Sequence, residues 1–378
     1  MQKFINFKNG KIPNEKYKYK NILISPLDWG LGHATRIVPL VRAFESFGCK
    51  VTIACSGATE RLLRQEFPDG LFLSLKGYRV TYPKKGDLFF LKMLLQFPSI
   101  LLSVRHEHVW LRRNLSIHGW DAVVSDNRYG LWHPSIPSVI LTHQLHIRTG
   151  ISSGLDSVVR FLLFGRLSRF DECWVPDAET EPSLSGELSH GKVPEKVTYI
   201  GPLSRFGTES DAVVTGKVLV LLSGPEPQRS IFESMIESQS EGLGLDLLVV
   251  RGLPGESVTR PGSKGVRWVN HLGARELELE LASASLVIAR SGYSTVMDLV
   301  RMRRRAVLVP TPGQTEQEYL ARHLSDAGLF LSVPQSSFDL RKAIDEGLSA
   351  HVPAVDMDFD LHREVVRGFL SGNHLRKR

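Results

Sequence analysis

Residues that can move protons follow three apolar runs in the first half of the chain. The stretch SPLDWGLGHATR places His33 shortly after the run NILIS. VVSDNRYG places Asp126 and Asn127 after a second run, and LTHQLHI does the same for His143 and Gln144. A carboxylate and two imidazoles that meet in one cleft could carry out general acid–base catalysis. Each residue could also be a cap or turn former, but the recurrence after three runs favours the catalytic interpretation.

The loop GLGH could bring an anion close to the backbone. Gly30 and Gly32 permit close approach, and the start of the following helix offers free N–H groups and the positive end of its dipole. The pattern is not the dinucleotide fingerprint, because Thr35 stands where the third glycine would fall and no acidic residue closes the next strand. We therefore expect no nicotinamide site. From this motif alone, His33 could equally be an ordinary loop histidine.

Three loops in the second half of the chain are suited to the oxygens of a diphosphate. Each follows an apolar run, contains small residues and leads into a helix whose first N–H groups can bind an anion. A carboxylate one turn into such a helix can accept hydrogen bonds from ribose hydroxyls. Singly, each loop could be an ordinary strand–helix connection. The candidate residues are Ser223, Gly224, Arg290, Ser291, Gly292, Ser294, Thr295, Asp298, Gly313, Gln314, Gln317 and Glu318.

Alternating apolar runs and amphipathic stretches predict the elements that must position these residues. They indicate an α/β fold with parallel strands and crossover helices, in one series that begins at NILIS and a second that begins at GKVLVLL. The stretch between them, 205–216, is polar and glycine-bearing, as an interdomain linker should be. We therefore expect two doubly wound, Rossmann-like domains whose strand ends face a central cleft, where such sheets bind ligands.

Length and composition are consistent with this organisation. A chain of 378 residues exceeds what one hydrophobic core usually supports, and a net charge of +7 favours anionic partners. Three cysteines without a CxxC pair indicate a reducing compartment. The first twenty residues lack the apolar stretch of a signal peptide, and no window is apolar enough to span a bilayer. We expect a cytoplasmic protein.

The stretch ARSGYSTVMDLVRMRRRAVLVPTPGQTEQEYLARHL resembles the donor-binding half of MurG-type glycosyltransferases of family 28, which have the two-domain GT-B fold. GLGHATRIVP resembles the glycine-rich loop of that family, with His33 at its loop histidine, and LTHQ resembles its His-Glu-Gln turn. GPLSR resembles the interdomain strand that ends in a phosphate-contacting arginine, here Arg205. The resemblance runs in order from residue 21 to about 330. It implies an N-terminal extension, an acceptor-binding domain, a nucleotide-sugar-binding domain and a C-terminal helix at 1–20, 21–205, 206–350 and 351–378.

The resemblance also implies a reaction. A sugar, with N-acetylglucosamine as the candidate, would pass with inversion from a UDP-sugar to an acceptor hydroxyl, on a glycan or a lipid-linked molecule of the cell envelope. Asp298 stands where the family has a ribose-binding glutamate, and Gln317 and Glu318 stand where a glutamine pair holds the sugar hydroxyls. The second glutamine is thus replaced by a carboxylate. LTHQ lacks the acidic residue after its histidine, and the N-terminal loop is less glycine-rich than that of the family; these two departures indicate a different acceptor from the peptidoglycan lipid. We expect His33 to be the base, with Asp126 as its rival.

Two further segments each allow a simpler interpretation. DMDFD at 356–360 matches an Asp-x-Asp metal motif, but it directly precedes an amphipathic helix, so capping is favoured and we expect neither a metal nor a cofactor. The apolar stretch at 87–113 could be a core helix followed by a surface helix. Alternatively, it could rest on an anionic membrane surface, on the inner face of the membrane, with Arg105, Arg112 and Arg113 at the headgroups.

Other functions remain open at this point. A UDP-sugar 2-epimerase or hydrolase on the same fold would need several acids in the cleft, for which Glu226, Glu316 and Glu318 are candidates. A nucleotide-sugar-binding protein without turnover is a second alternative. A nucleic-acid partner is disfavoured, because the basic residues are dispersed and RMRRR at 301–305 has no interleaved aromatic residues.

Overall fold

Two parallel β-sheets organise the chain, as the sequence predicts. The structure is a computed structural model that describes residues 17–78, 89–147, 152–207, 216–242, 244–256, 261–262, 265–350 and 355–372. Most of the predicted N-terminal extension and of the linker, and parts of the C-terminal segment, therefore lie outside the described residues. So do the first two residues of the apolar stretch at 87–113.

The first sheet has seven parallel strands in the spatial order β3-β2-β1-β4-β5-β6-β7. Chain order reverses direction between β1 and β4, whose last residues, Pro26 and Asp126, are paired neighbours. Ligands of such sheets bind beyond the strand ends at this point. The strands are β1 (Asn21–Pro26), β2 (Lys50–Cys55), β3 (Leu71–Ser74), β4 (Ala122–Asp126), β5 (Ser138–Leu141), β6 (Glu172–Val175) and β7 (Val197–Tyr199).

The second sheet repeats this pattern with six parallel strands in the order β10-β9-β8-β11-β12-β13. Its reversal lies between β8 and β11, so the loops after these two strands are the corresponding ligand position. The strands are β8 (Val218–Leu221), β9 (Leu247–Val250), β10 (Val266–Val269), β11 (Leu286–Ala289), β12 (Ala306–Leu308) and β13 (Leu331–Ser332).

Ten α-helices cover the sheets within the described residues. Crossover connections between parallel strands are right-handed. The connections through α1 and α2 lead towards the β3 edge of the first sheet, so these helices lie on one face. The connections through α3 and α4 lead towards the β7 edge, so these helices lie on the other face. The helices are α1 (Leu31–Ser46), α2 (Gly57–Glu66), α3 (Phe89–His118), α4 (Ser153–Leu167), α5 (Gln228–Ser240), α6 (Ala274–Ser283), α7 (Tyr293–Arg301), α8 (Thr315–Asp326), α9 (Leu340–Ser349) and α10 (Leu361–Leu370).

The glycine loop is shorter than the sequence pattern predicts. The sequence predicts a loop at GLGH, but α1 begins at Leu31, directly after Gly30, which turns the chain at a φ of 97°. His33 therefore lies in the first turn of α1, on the same helix as Arg36. Three residues separate the two side chains, so they share one helix face.

The apolar stretch at 87–113 also differs from its expected form. The expected core helix and surface helix are one helix, α3, of 30 residues, which contains Pro98. Pro98 is exposed and removes one backbone hydrogen bond from the interior of the helix. Among the described residues, no helix combines the length and the apolar content needed to cross a bilayer.

The C-terminal helix returns to the first sheet. Phe369 of α10 packs edge-on against Phe44 of α1 and Trp174 of β6, with ring centroids 6.5 Å and 5.5 Å apart. Asp360 is the residue before this helix, but its side chain makes no capping bond; instead Asp358 accepts the Asp360 N–H at 2.8 Å. The capping prediction for DMDFD was therefore wrong in detail. The described residues contain no group of three or more His, Cys, Asp or Glu side chains placed to hold a metal ion.

Candidate active site

The reversal point of the first sheet brings together His33 and Asp126. Asp126 ends β4 and is fully buried, while His33 in the first turn of α1 keeps 16% of its side chain exposed. Nδ1 of His33 lies 3.0 Å from Oδ2 of Asp126. A carboxylate can only accept here, so Nδ1 carries the proton and Nε2 is left with its lone pair. Such a pair can take a proton from a hydroxyl group.

Arg36 completes this pair, and the sequence analysis missed its role. Its Nε donates to Oδ2 of Asp126 at 2.9 Å, and its Nη2 donates to Oδ1. Burial opposes the ionisation of Asp126, but Arg36 and His33 outweigh it and hold the pKa of this carboxyl at about 2. Asp126 is therefore an anion whose two oxygens are already occupied. The signal was present in GLGHATR, since a spacing of three places both side chains on one helix face.

His143 extends the network from β5 to the second lobe. Nη1 of Arg36 donates to Nδ1 of His143 at 3.0 Å, because a guanidinium has no acceptor. Nε2 of His143 therefore carries the proton and donates to Oε1 of Glu316 at 2.8 Å. Gln144 donates to the other oxygen of Glu316, and the His143 ring stacks on Tyr293 with centroids 4.2 Å apart. Glu316, the second residue of α8, thus reaches from the second lobe into the first.

The beginnings of α1 and α7 also meet across the cleft. The hydroxyl of Ser294, in the first turn of α7, donates to the Gly32 carbonyl at 2.8 Å. A Cβ at position 32 would lie 3.1 Å from that hydroxyl oxygen, so glycine allows this approach without a shift of the Ser294 side chain. Gly292 is the residue before α7, and Thr295 is half-buried one position after Ser294. The predicted acceptor-side and donor-side loops therefore face each other.

A second cluster joins Asp298 and Arg205. Oδ1 of Asp298 accepts the Ser204 hydroxyl at 2.6 Å. Burial raises the pKa of Asp298 to about 6, against the attraction of Arg205. Nη1 of Arg205 donates to Oε1 of Glu66 at 3.0 Å. The arginine that is predicted to contact a phosphate therefore binds a carboxylate of α2 in this structure. Glu66, Arg205 and Asp298 thus form a series between the lobes. Glu66 and Arg205 belong to the first lobe, and Asp298 belongs to the second.

Arg290 does not join the cleft residues. Its guanidinium donates to the carbonyls of Gln228, Val309 and Pro310 and lies 4.4 Å from the centre of the Phe232 ring. Burial lowers its pKa to about 10. Its side chain is directed into the second core, where it holds three backbone carbonyls, and its predicted contact with the donor stays a prediction. The sequence pattern could not reveal this direction, because it places residues and not side chains.

The remaining donor-side candidates shape their own loops. Oε1 of Gln317 accepts the Thr311 N–H at 2.9 Å, and Oε1 of Glu318 accepts the Gly313 N–H at 2.8 Å. Ser291 donates to the Gln317 carbonyl at 2.8 Å. Gly224 and Gly313 have φ of 98° and 78°, which favour glycine, Ser223 is exposed, and Gln314 is the residue before α8. On the acceptor side, Asn127 adopts a φ of 53°, and its buried Oδ1 has no partner among the described residues.

Comparison with known families identifies the second lobe. A model of the glycosyltransferase family 28 C-terminal domain matches residues 274–354, which contain α6 to α9 and thus the loops before α7 and α8. An uncharacterized glycosyltransferase of Methanopyrus kandleri is 25% identical over 351 residues, which cover 87% of this chain and 94% of that protein. A UDP-N-acetylglucosamine–N-acetylmuramyl-(pentapeptide) pyrophosphoryl-undecaprenol N-acetylglucosamine transferase of Methylorubrum extorquens is 47% identical, but only over 66 residues, 17% of this chain and 18% of that enzyme.

Solved structures share the architecture. The glycotransferase of kitacinnamycin superposes with a TM-score of 0.59 at 15% identity and covers 94% of this chain and 96% of its own. The spinosyn rhamnosyltransferase superposes with a TM-score of 0.57 at 15% identity and covers 94% of each chain. At these identities the likeness establishes the fold. With the family 28 domain and the relative from Methanopyrus, it identifies this chain as a glycosyltransferase of the GT-B fold.

Proposed function

We propose that this glycosyltransferase moves a sugar from a UDP-sugar to an acceptor hydroxyl with inversion, and that N-acetylglucosamine is the first donor sugar to test. The observation that carries the proposal is the His33–Asp126 pair, which lies opposite the helix starts of the family 28 domain. The short match to N-acetylglucosamine transferases supports UDP-N-acetylglucosamine as the donor, because this chain also carries the family 28 C-terminal domain. A structure of the spinosyn rhamnosyltransferase holds thymidine diphosphate, which supports a nucleoside diphosphate as the ligand of this architecture.

In this proposal the second lobe holds the donor. The N-terminal turns of α7 and α8 present backbone N–H groups and a positive dipole end to the diphosphate. Asp298, one turn into α7, accepts the ribose hydroxyls. Helix dipoles and N–H groups stabilise the charge that grows on the leaving UDP, so the reaction is written without a metal.

The first lobe activates the acceptor. Nε2 of His33 takes the proton of the acceptor hydroxyl while the oxygen attacks the anomeric carbon. The new carbon–oxygen bond forms as the bond to the diphosphate breaks, and UDP leaves with the electron pair. Asp126 stabilises the imidazolium that results. We assign the base to His33 and not to its rival Asp126, because both oxygens of Asp126 are bonded and its pKa is about 2.

A lipid surface is the proposed setting of the acceptor. Eight of the twelve large apolar side chains that are exposed among the described residues lie on α3 and α4, on one face of the first sheet: Phe97, Leu101, Leu102, Val109, Ile117, Val158, Phe161 and Leu162. Arg105, Arg112 and Arg113 of α3 are exposed beside them. The single acid of α3, Glu107, is buried against Arg128. We call these two helices the α3–α4 face, and its apolar and basic character fits an anionic membrane surface.

The contacts of the three candidate acids disfavour the epimerase or hydrolase alternative. Glu316 is bound by His143 and Gln144, Glu318 by its own loop, and Glu226 pairs with Arg229 at 2.6 Å. A hydrolase or epimerase would consume the UDP-sugar without an acceptor. The proposed transferase needs one.

A thermal-shift comparison tests the donor. UDP-, GDP- and dTDP-N-acetylglucosamine are added separately, because a ligand that binds only the folded protein raises its melting temperature. The proposal predicts the largest shift with the UDP-sugar. A shift with the GDP- or dTDP-sugar alone would overturn the donor assignment. A positive donor is then incubated with lipid extract, where transfer to an extractable product is expected.

A further inference from the structure

Glu316 contacts the acceptor lobe although it belongs to the donor lobe. Its Oε1 accepts from Nε2 of His143 at 2.8 Å, and its Oε2 accepts from Gln144. Position 316 is the second residue of α8, directly after the loop that the proposed donor would contact. The carboxylate is one-third exposed, so it lies at the edge of the cleft and not in either core. A movement of α8 therefore moves a charge within the first lobe's network.

The network transmits this contact to His33. Glu316 fixes the proton of His143 on Nε2, which leaves Nδ1 to accept from Arg36 at 3.0 Å. Arg36 in turn holds both oxygens of Asp126, and Asp126 holds Nδ1 of His33. Arg36 can only donate and the two carboxylates can only accept, so the roles in this series are compatible throughout. The contacts therefore link Glu316 of the second lobe to the base in the first.

The same residues couple the charge of Glu316 to the charge of His33. Burial lowers the pKa of His33, Asp126 raises it, and Arg36 and His143 lower it again. Nη2 of Arg36 lies 2.9 Å from Nδ1 of His33, close enough to oppose the imidazolium that the reaction needs. Partial burial opposes the ionisation of Glu316, but the attraction of His143, Arg36 and His33 lowers its pKa, so it is a carboxylate at neutral pH. By reciprocity, that anion favours a proton on His33.

We infer that Glu316 is a positioning residue that, when the lobes are closed, orients the His143–Arg36–Asp126 series and offsets the charge of Arg36 at the His33 base. The inference rests on the proposed role of His33 as the base. It goes beyond that role by making readiness of the base depend on the donor lobe. Such a dependence limits proton removal to the state in which α8 is seated.

Glu316→Gln tests the inference, because it keeps the shape of the side chain and removes its charge. With UDP-N-acetylglucosamine as the probe and a lipid extract as the acceptor, kcat is expected to fall about 10-fold, since a weaker base transfers the proton less readily. The acidic limb of the pH profile is expected to move down by about half a pH unit, since a nearby anion has been lost. KM for the UDP-sugar is expected to stay within about twofold, because the donor contacts remain. Glu346→Gln, an exposed carboxylate on α9, is the matched control and should change none of these values.

A second readout needs no turnover. The His33 imidazole is titrated by NMR in the wild type and in Glu316→Gln, with circular dichroism to show that the variant is folded. A lower His33 pKa in the variant supports the inference, and an unchanged pKa together with an unchanged kcat overturns it. If His33→Ala retains the wild-type rate, the proposed base fails instead, and the titration still decides the electrostatic part.

Discussion

His33 and Asp126 lie 3.0 Å apart across the reversal point of the first sheet, although ninety-three residues separate them in the chain. The strand register accounts for the proximity, since β1 and β4 are neighbours and both end at this edge. The carboxylate is buried and the imidazole reaches the cleft. This arrangement lets Asp126 hold one nitrogen of His33 while the other keeps its lone pair for the proposed acceptor.

Replacement of Asp126 by asparagine should cost stability, because it leaves Arg36 as a buried charge without its anion. We expect a loss of about 3 kcal/mol or more in the free energy of unfolding, measured with urea. Asp121→Asn, which changes a carboxylate at the other end of the same strand, serves as the comparison. A loss no larger than that of the comparison variant would contradict the buried Arg36–Asp126 pair.

Acid should weaken the fold through the same carboxyl. The pKa of Asp126 in the folded protein is about 2, below its ordinary value of 3.8, so its contribution is complete above the ordinary value. It is lost as the pH falls from there through about 2. A difference of this size corresponds to about 2 kcal/mol. In urea titrations at stepped pH, Asp126→Asn should lack this part of the acid dependence, and an identical dependence would refute the prediction.

Donor binding should depend on the charge of Asp298. Burial raises the pKa of Asp298 from its ordinary value of 3.8 to about 6. The carboxyl is therefore protonated in the folded protein below about pH 6. The stability that this protonation provides is lost as the pH rises through about 6. Only the ionised carboxylate accepts two ribose hydroxyls. The affinity for UDP-N-acetylglucosamine, measured by calorimetry, should therefore rise about threefold to tenfold as the pH passes through this pKa. Asp298→Asn should bind weakly at every pH; a normal pH dependence in this variant would exclude the ribose contact.

Arg290 is expected to be structural. Arg290→Met removes the donor of three buried carbonyls and should lower the free energy of unfolding by about 3 kcal/mol. Below its melting temperature, the folded variant should bind the UDP-sugar within about threefold of the wild type, since the proposed diphosphate contacts come from helix N–H groups. If stability were unchanged and donor affinity were lost, Arg290 would contact the donor after all.

The α3–α4 face should bind anionic lipid. Phe161→Ser removes one of its most exposed apolar side chains and should reduce binding to phosphatidylglycerol vesicles about 10-fold in sedimentation assays, because a buried phenyl ring contributes about 1.5 to 3 kcal/mol. Leu348→Ser, at an exposed apolar residue of α9, is the control and should bind like the wild type. Equal binding by both variants, or no binding by the wild type, would remove the membrane from the proposal.

The sequence was sufficient to predict where the strands end. It was insufficient to predict the contacts between the side chains of the two lobes. Apolar runs that end close to His33, Asp126 and His143 predicted the edge where these residues meet, because parallel strands end together. The short edge strands β3, β10 and β13 were missed, since strands of four, four and two residues are too short to establish a pattern. Within the site, the contact between Glu316 and His143 depends on how the two lobes pack. No local spacing encodes that contact.

The rate of UDP release is the most direct test of the central claim, that His33 removes the proton of the acceptor. Wild type and His33→Ala are compared with UDP-N-acetylglucosamine and lipid extract, after calorimetry has shown that both bind the donor. The account predicts a fall in kcat of about 10² to 10⁴ with little change in donor affinity. A His33→Ala variant that transfers at the wild-type rate would contradict it.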